Sequence, residues 1–243
     1  MDLFKDNLNM TLVYNYVRKF HKTEDVKIIE KLLKYEDSGK NNFLMWCCKQ
    51  KNLQDFVLFL LDNYSMLYKF DHVNNSGSTV LIIACSTKLA NVSMKLIDTF
   101  GAQCKIDHVN NQGITALMWA CKNNLPAAIK LIDEYGTKSK IDHVNNYGET
   151  ALIIALRYEA LDVANRIIDL YGAQCKIDQV DDYGETALIW ACYNKIEATV
   201  IKIIDKFGMQ CKIDQVSNYG HSAAYIAKKN NMNNVLSKLC TFK

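Results

Sequence analysis

Apolar residues along the chain recur at helical spacing in short segments separated by polar ones. The clearest segment has apolar residues at i, i+3, i+4 and i+7, namely Val200, Ile203, Ile204 and Phe207. The same spacing recurs within residues 57–64, 128–135 and 164–171. Because such spacing places one apolar stripe along a helix, each segment predicts an amphipathic helix that ends at an aromatic residue.

Two series of glycines divide the chain at a regular interval. The first series is separated by 36, 35, 36 and 36 residues and consists of Gly77, Gly113, Gly148, Gly184 and Gly220. Each glycine of the second series directly follows a Phe or Tyr, and the series consists of Gly101, Gly136, Gly172 and Gly208. Since glycine adopts positive φ without steric cost, we expect turns at the first series and helix C-terminal caps at the second.

A second, shorter helix is predicted just after each glycine of the first series. A threonine two residues on can cap it, at Thr79, Thr115, Thr150 and Thr186. Small apolar residues follow, as in Leu117, Ala120 and Cys121. Each unit is therefore a helix, a turn, a second helix, a glycine and an extended "KIDHVNN" arm. Two short helices cannot bury their apolar faces alone, so the units must stack into a solenoid.

Unit boundaries fall at the Asp, Asn or Ser three residues before the first-series glycine. We expect the following division: an N-terminal capping helix pair (1–36), unit 1 with Lys40 where glycine belongs (37–73), unit 2 (74–109), unit 3 (110–144), unit 4 (145–180), unit 5 (181–216) and a C-terminal capping unit 6 (217–243).

The phrases "NNQGITALMWAC" and "DDYGETALIWAC", followed by "LIDEYG" and "IIDKFGMQ", resemble the ankyrin repeat, with its D-x-x-G-x-T-P-L-H-x-A-A pattern. The resemblance implies an all-α ankyrin solenoid with short hairpin-like loops. Alanine replaces the family's proline, and Met118, Ile153 and Ile189 replace its histidine. We therefore expect the polar tie that this histidine makes to be absent. The longer unit and the "KIDHVNNYGETALI" phrase resemble ankyrin-repeat proteins of giant amoebal viruses such as mimivirus.

Composition narrows the function classes further. Apolar residues make up 49% of 243 residues, which is enough for a large core. A net charge of +3 gives no basic face for nucleic acid, and no apolar run reaches the length of a membrane span. Nine cysteines without a signal-peptide pattern indicate free thiols in a reducing intracellular compartment, which is the host cytoplasm if the source is viral.

Recurring polar residues could suggest chemistry, but their spacing argues against it. His72, His108 and His143 occur once per unit, and stacked layers about 8–10 Å apart cannot share one metal ion. We interpret them as polar hairpin residues, the once-per-unit cysteines as small buried residues, and the Asp column (Asp62, Asp98, Asp133, Asp169, Asp205) as solvated or turn-bonding charge. No phosphate loop, H-E-x-x-H motif or nucleophile elbow is present. We expect no enzyme activity, no cofactor and no metal.

Function should therefore lie where the units differ. In ankyrin arrays the partner contacts the hairpin tips and the exposed side of the first helix, on the concave face. Tyrosines at these places are concentrated in units 4 to 6, and Tyr and Arg are common interface anchors. The candidate partner-binding residues are Tyr147, Glu149, Arg157, Tyr158, Tyr183, Glu185, Tyr193 and Tyr219. The alternative is that these tyrosines are solvent-edge residues of a duplicated unit.

A second alternation runs through the first helices, with Trp46, Trp119 and Trp190 alternating with Ile83, Ile154 and Ile226. It indicates a two-unit duplication, large-against-small packing, or both. The function most consistent with the pattern is a monomeric, non-enzymatic module that binds a protein partner. The alternatives are a structural or self-assembling particle component and a ubiquitin-ligase substrate adaptor. The adaptor would need a further C-terminal segment that residues 217–243 are too short to supply.

Overall fold

The computed structural model of the protein describes residues 32, 34–123 and 126–242. Nearly all of the predicted 1–36 capping pair lies outside these residues. The described residues form helices arranged in six successive pairs: α1 (Phe43–Lys49) and α2 (Gln54–Tyr64), α3 (Val80–Ser86) and α4 (Ala90–Phe100), α5 (Ala116–Lys122) and α6 (Pro126–Lys130), α7 (Ala151–Arg157) and α8 (Leu161–Tyr171), α9 (Ala187–Tyr193) and α10 (Glu197–Phe207), and α11 (Ala223–Lys229) and α12 (Asn233–Cys240). After α6, residues Leu131–Tyr135 continue as a π-helix. Among the described helices, none is long and apolar enough to cross a membrane.

Threonine capping of the first helices is confirmed. In four units the threonine hydroxyl accepts a hydrogen bond from the backbone N–H three residues on, at 3.2–3.3 Å. Asn42 and Ser222 cap α1 and α11 in the same way. These bonds satisfy one of the N–H groups that a helix start leaves unpaired, so every first helix begins at a defined residue.

The core runs without a break through the stack, because each first helix packs against the first helices of both neighbouring units. Met118, Ile153 and Ile189, which replace the family's histidine, are fully buried in it. Apolar packing therefore takes the place of the polar tie that the family's histidine makes, as expected. Another histidine column, in the arm, does make a polar contact: Nε2 of His72, His108 and His143 lies 2.7, 2.8 and 3.0 Å from the carbonyl oxygens at positions 40, 77 and 113, near the start of the same unit. These bonds join the arm to the turn at the start of its own unit.

The two glycine series differ in the reason that glycine is needed: backbone conformation in the first, and at some positions of the second close contact with neighbouring atoms. All five glycines of the first series have φ between 73° and 78°, and Lys40 has φ 56° at the corresponding place in unit 1. In the second series Gly136 and Gly208 have positive φ, but Gly101 and Gly172 are right-handed, at −48° and −51°. Gly101 and Gly172 do follow the ends of α4 and α8 as C-terminal caps, as predicted, but the expectation of positive φ is wrong at both. At Gly172 an added Cβ would lie 2.8 Å from Cε of Lys206 and 3.0 Å from a helix carbonyl oxygen, so these neighbours would have to shift to admit a side chain.

The Asp column forms ion pairs between units, which the sequence analysis did not predict. Each Asp of this column pairs with a basic residue on the second helix of the next unit: Asp62 with Lys95, Asp98 with Lys130, Asp133 with Arg166, Asp169 with Lys202 and Asp205 with Lys238. We call this row the second-helix ladder. Its members are largely exposed, and exposed ion pairs stabilise a fold little, so we expect the ladder to add little to the stability of the stack.

Candidate partner-binding surface

The hairpin tips are fixed by a side chain at the first position of each unit. Oδ1 of Asn145 accepts hydrogen bonds from the backbone N–H of Tyr147 and of Glu149, both at 2.9 Å. Oδ1 of Asp181 does the same for Tyr183 and Glu185. Such local bonds from Asn and Asp stabilise tight turns. They set where the exposed tip residue and the residue after the glycine point.

Backbone hydrogen bonds join each tip to the next. The N–H of Asp182 donates to the carbonyl of Tyr147 at 3.0 Å, and the N–H of Asn218 donates to the carbonyl of Tyr183 at 2.9 Å. These bonds align Tyr147, Tyr183 and Tyr219, which are 46%, 41% and 62% exposed. We call these three residues the tyrosine row. The rings of Tyr183 and Tyr219 are stacked, with centroids 6.3 Å apart and planes inclined by 22°.

Arg157, at the end of α7, connects the row to two first helices. Its Nη1 donates to Oε1 of Glu149 at 2.6 Å. Its guanidinium carbon lies 5.7, 5.2 and 4.9 Å from the ring centroids of Tyr158, Tyr183 and Trp190. Burial lowers the pKa of Arg157, but the hydrogen bond and the charge of Glu149, together with Tyr183 and Tyr158, raise it by more, so the net shift is upward. The arginine stays charged and holds three rings around it.

Two cavities open along this surface, one on each side of Arg157. The first cavity, about 330 Å³, lies mainly between the tips and first helices of units 3 and 4. Lys122 contributes to it, with Nζ 4.9 Å from the ring of Trp119 and 5.2 Å from that of Tyr158. The second cavity, about 370 Å³, is lined by Arg157, Tyr183, Glu185, Trp190, Tyr193 and Tyr219.

Glu149 in unit 4 is a buried carboxylate with partners for both of its oxygens. Oε1 accepts from Arg157, and Oε2 accepts from Nδ2 of Asn145 at 3.0 Å. One bond is charge-assisted by an arginine and the other comes from an amide. Such an arrangement satisfies the requirement that buried charges be paired and hydrogen-bonded.

Glu185 occupies the same place in unit 5 but lacks both of these partners. The counterpart of Asn145 is Asp181, a carboxylate that cannot donate, and the counterpart of Arg157 is Tyr193. Burial raises the pKa of Glu185, the hydrogen bond from Tyr193 lowers it, Asp181 raises it further and Arg157 opposes this. The hydroxyl of Tyr193 also lies 2.7 Å from Nδ1 of His221.

The candidate residues chosen from sequence all line one or both cavities. Tyr147, Glu149, Arg157, Tyr158 and Tyr183 line the first, and Tyr183 and Arg157 are shared with the second. Sequence reasoning missed the tryptophans, which it assigned to packing between units. Trp119 and Trp190 are half-buried and present ring faces to cations, whereas the alternating isoleucines are buried. The signal was present, since tryptophan returns only in alternate units.

The residue after Arg157 is Tyr158, and the corresponding position in other units carries a residue with a different role. Asn123, Asn194 and Asn230 hold this position in units 3, 5 and 6, and each donates to a carbonyl of the preceding first helix, at 2.8, 2.5 and 3.0 Å. These asparagines tie adjacent units together. Unit 4 carries Tyr158 there, with an exposed ring beside Lys122 and Arg157. Unit 4 therefore has an exposed aromatic side chain where units 3, 5 and 6 have an inter-unit tie.

We next looked among the described residues for a metal site or a reactive thiol. They contain no group of three or more His, Cys, Asp or Glu side chains that could hold a metal ion. Cys240 is exposed, but the other described cysteines are buried. Burial raises the pKa of the Cys85 and Cys192 thiols to about 12, which suppresses the reactive thiolate.

Comparisons with known proteins agree with this architecture. No curated protein sequence is significantly similar to the chain. Among solved structures, the chain resembles an ankyrin-repeat domain from Acinetobacter baumannii (17% identity, TM-score 0.60, 82% of this chain and 96% of that one). It also resembles the ankyrin-repeat domain of Bcl-3, of the IκB family (22%, 0.59, 85% and 86%). A third match is in the structure of a predatory endopeptidase from Bdellovibrio bacteriovorus in complex with an immunity protein (19%, 0.58, 86% and 100%).

A family model described as ankyrin repeats in three copies matches residues 44–141 and 94–179, more than half of the chain. This match agrees with the paired helices, the capped first helices and the linked hairpin tips of the structure. The chain therefore belongs to the ankyrin-repeat family.

Proposed function

We propose that this protein is a binding module that holds a protein partner against the tips and first helices of units 4 to 6. Ankyrin repeats are protein–protein interaction modules, and the fold is typically non-enzymatic. The proposal places the partner on the tyrosine row and the two cavities beside it. It assigns no catalytic step to the chain.

The observation that carries the proposal is the tyrosine row itself. Three large aromatic side chains stand exposed in register along one edge, beside two cavities walled by further rings. Rigid aromatic side chains next to concave surface are typical of interface centres, since they bury much area at low entropic cost. The second-helix ladder, by contrast, offers exposed charges that already have partners within the chain.

The resemblance to ankyrin proteins of giant amoebal viruses makes an amoebal host protein the first partner to test. The immobilised wild-type chain would be incubated with amoebal lysate beside two variants. One removes the row (Tyr147, Tyr183 and Tyr219 to Ala). The other removes ladder charges (Asp98, Asp133 and Asp169 to Asn). Captured proteins would be identified by mass spectrometry.

We expect a partner that the wild type and the ladder variant retain and the row variant loses. The control matters because both variants change three exposed residues, so general surface damage would affect both. Loss in both variants, or retention by the row variant, would contradict the proposal. Circular dichroism of both variants would establish that their helices are intact.

A second candidate function is self-association, as in a structural particle component. Its supporting observation is a group of exposed aromatic side chains in unit 6, comprising Tyr219, Tyr225 and Phe242. Mass measured by light scattering at increasing concentration would distinguish the two. A constant monomer mass favours partner binding, whereas a rising mass that Tyr225→Ala and Phe242→Ala suppress favours assembly.

A further inference from the structure

The second cavity differs from the first in how its carboxylate is satisfied. In unit 4 the carboxylate of Glu149 forms an ion pair with Arg157 at 2.6 Å and accepts from the amide of Asn145 at 3.0 Å. In unit 5 the first of these positions carries Tyr193 and the second carries Asp181. Both differences act in the same direction, because one removes a cation and the other adds an anion.

Glu185 is consequently a buried carboxylate without a cation of its own. It is 3% exposed, and among the described residues no Lys or Arg forms an ion pair with it. Its polar partner is the neutral hydroxyl of Tyr193. Asp181 beside it is committed elsewhere, since its Oδ1 accepts two tip N–H groups and its Oδ2 accepts from Nε1 of Trp190 at 2.9 Å. Burying such a charge is costly unless a counter-ion arrives.

Arg157 does not fill this role, although it borders the cavity. Its guanidinium is bonded to Glu149, and its face lies against Tyr183 and Trp190. It occupies one side of the cavity and leaves the rings of Tyr193 and Tyr219 without a cation among the described side chains. The remaining space has aromatic walls and a carboxylate at its base.

Elsewhere in this chain, similar aromatic rings already have a basic side chain placed over them. At the position that Tyr193 holds in unit 5, unit 3 has Lys122 and unit 4 has Arg157, and each places a cation over neighbouring Trp and Tyr rings. In units 3 and 4 the chain supplies the cation, and in unit 5 it does not. Aromatic faces attract Lys and Arg side chains through the negative potential of the ring, and more strongly where water is excluded.

We infer that the second cavity binds a lysine or arginine side chain of the partner, with Tyr193 and Tyr219 as walls and Glu185 as the counter-ion. The inference rests on the proposed function, because it names the chemistry of the partner residue that enters this surface. The raised pKa of Glu185 agrees with a carboxylate that awaits its cation. Aromatic walls favour an organic cation over a metal ion, and no metal-binding group of side chains is found in the described residues.

The test uses the full-length chain labelled with ¹⁵N and three small probes: the N-acetyl methylamides of arginine, lysine and citrulline. Citrulline matches arginine in shape but carries no charge. The indole N–H signal of Trp190, identified by its loss in Trp190→Phe, reports on the second cavity. The indole signal of Trp119 in the same spectrum reports on the first cavity.

We expect the arginine and lysine probes to shift the Trp190 signal and to bind at least tenfold more tightly than citrulline. Glu185→Gln should weaken the charged probes about tenfold, which equals about 1.4 kcal/mol. Tyr219→Ala should weaken them as well. Asp205→Asn is the matched control, because it removes a carboxylate of the same unit that lies in the second-helix ladder and not in the second cavity, and binding should change less than twofold.

Equal binding of citrulline and arginine, or unchanged binding by Glu185→Gln, would overturn the inference. The outcome is separable from that of the proposed function. If the captured partner is lost by the tyrosine-row variant but bound equally by wild type and Glu185→Gln, the surface is correct and the basic side chain is wrong. If the charged probes bind as expected but the row variant keeps the partner, the cavity is a cation site and the partner lies elsewhere.

Discussion

Two regions of this solenoid repeat with the same period but differ in what they repeat. The second-helix ladder has the same ion pair between every adjacent pair of second helices from α2 to α12. The surface formed by tips and first helices changes at each step, so that Glu149 has Arg157 and Asn145 as partners while Glu185 has Tyr193 and Asp181. A contact that recurs between all units has a structural role in the stack. A position at which a single unit departs from the repeat is instead a candidate for binding.

The largest effect on stability should come from the stacked units themselves, which we call the frame: the capped helices and the glycine turns on which both regions are built. Gly148→Ala places a Cβ 2.9 Å from Cα of Asp181 at a φ of +73°, and we expect a loss of about 3 kcal/mol in the free energy of unfolding. Gly220→Ala is the matched control, because its φ is +76° but no atom lies within 4 Å of the added Cβ. It should cost about 1 kcal/mol. Urea denaturation measures both, and equal losses would show that contact between tips contributes nothing.

The next largest effect separates binding from stability. Tyr183→Ala together with Tyr219→Ala removes two stacked rings that are exposed to solvent. We expect at least a tenfold loss of affinity for the captured partner, with the free energy of unfolding changed by only about 0.5 kcal/mol. Calorimetric titration and urea denaturation of the same preparation give the two values. A large loss of stability with little loss of affinity would place these rings in the frame instead.

A smaller but sharper contrast compares the two carboxylates. Glu149→Gln leaves half-buried Arg157 without its counter-ion and should destabilise the fold by about 1–2 kcal/mol. Glu185→Gln removes a buried charge that has no cation and should be neutral, or stabilising by about 0.5 kcal/mol, at pH 7. Urea midpoints of the two variants measure the difference. Similar losses in both would contradict the assignment of an unpaired carboxylate to unit 5.

The same contrast predicts a pH dependence. The pKa of Glu185 is higher in the folded chain than in the unfolded chain, so its ionised form is the less favourable one in the fold. The stability of wild type relative to Glu185→Gln should therefore rise as pH falls through the folded pKa of Glu185. Urea midpoints of the two proteins between pH 7 and pH 4 would measure this. A relative stability that falls over that range would contradict it.

The smallest effect is expected on the second-helix ladder. Asp133→Asn removes the bidentate pair with Arg166 at 2.6 and 2.8 Å, yet both side chains are substantially exposed. Exposed pairs gain little because water already solvates both charges. We expect no resolvable shift of the urea midpoint at 0.5 M salt, and a clear destabilisation would show that the ladder carries the stack.

The sequence predicted the frame well because the frame is periodic. Apolar spacing and the capping threonines located the helices, and each repeat corroborated the others. Gly101 and Gly172 were misread because a glycine needed for close packing and one needed for positive φ look alike in sequence. The second-helix ladder was missed because its partners are about one full unit apart and meet only after stacking.

For the candidate surface, the sequence predicted which residues take part but not which of them contact one another. All eight candidates line the two cavities, but their pairing depends on distances that no pattern contains. Arg157 is an example, since sequence marked it as exposed while the structure surrounds it with Glu149 and three rings. That Glu185 has no ion-pair partner became clear only when its surroundings were compared with those of Glu149.

Hydroxyl-radical footprinting of the captured complex tests the central claim most directly. It reads the exposure of aromatic and sulfur-containing side chains, so the tyrosine row reports on the proposed interface while exposed Met66 and Met209 serve as controls in the same molecule. The account predicts that Tyr147, Tyr183 and Tyr219 are oxidised several-fold more slowly in the complex and that Met66 and Met209 are unchanged. Unchanged oxidation of the row, with protection elsewhere, would contradict it.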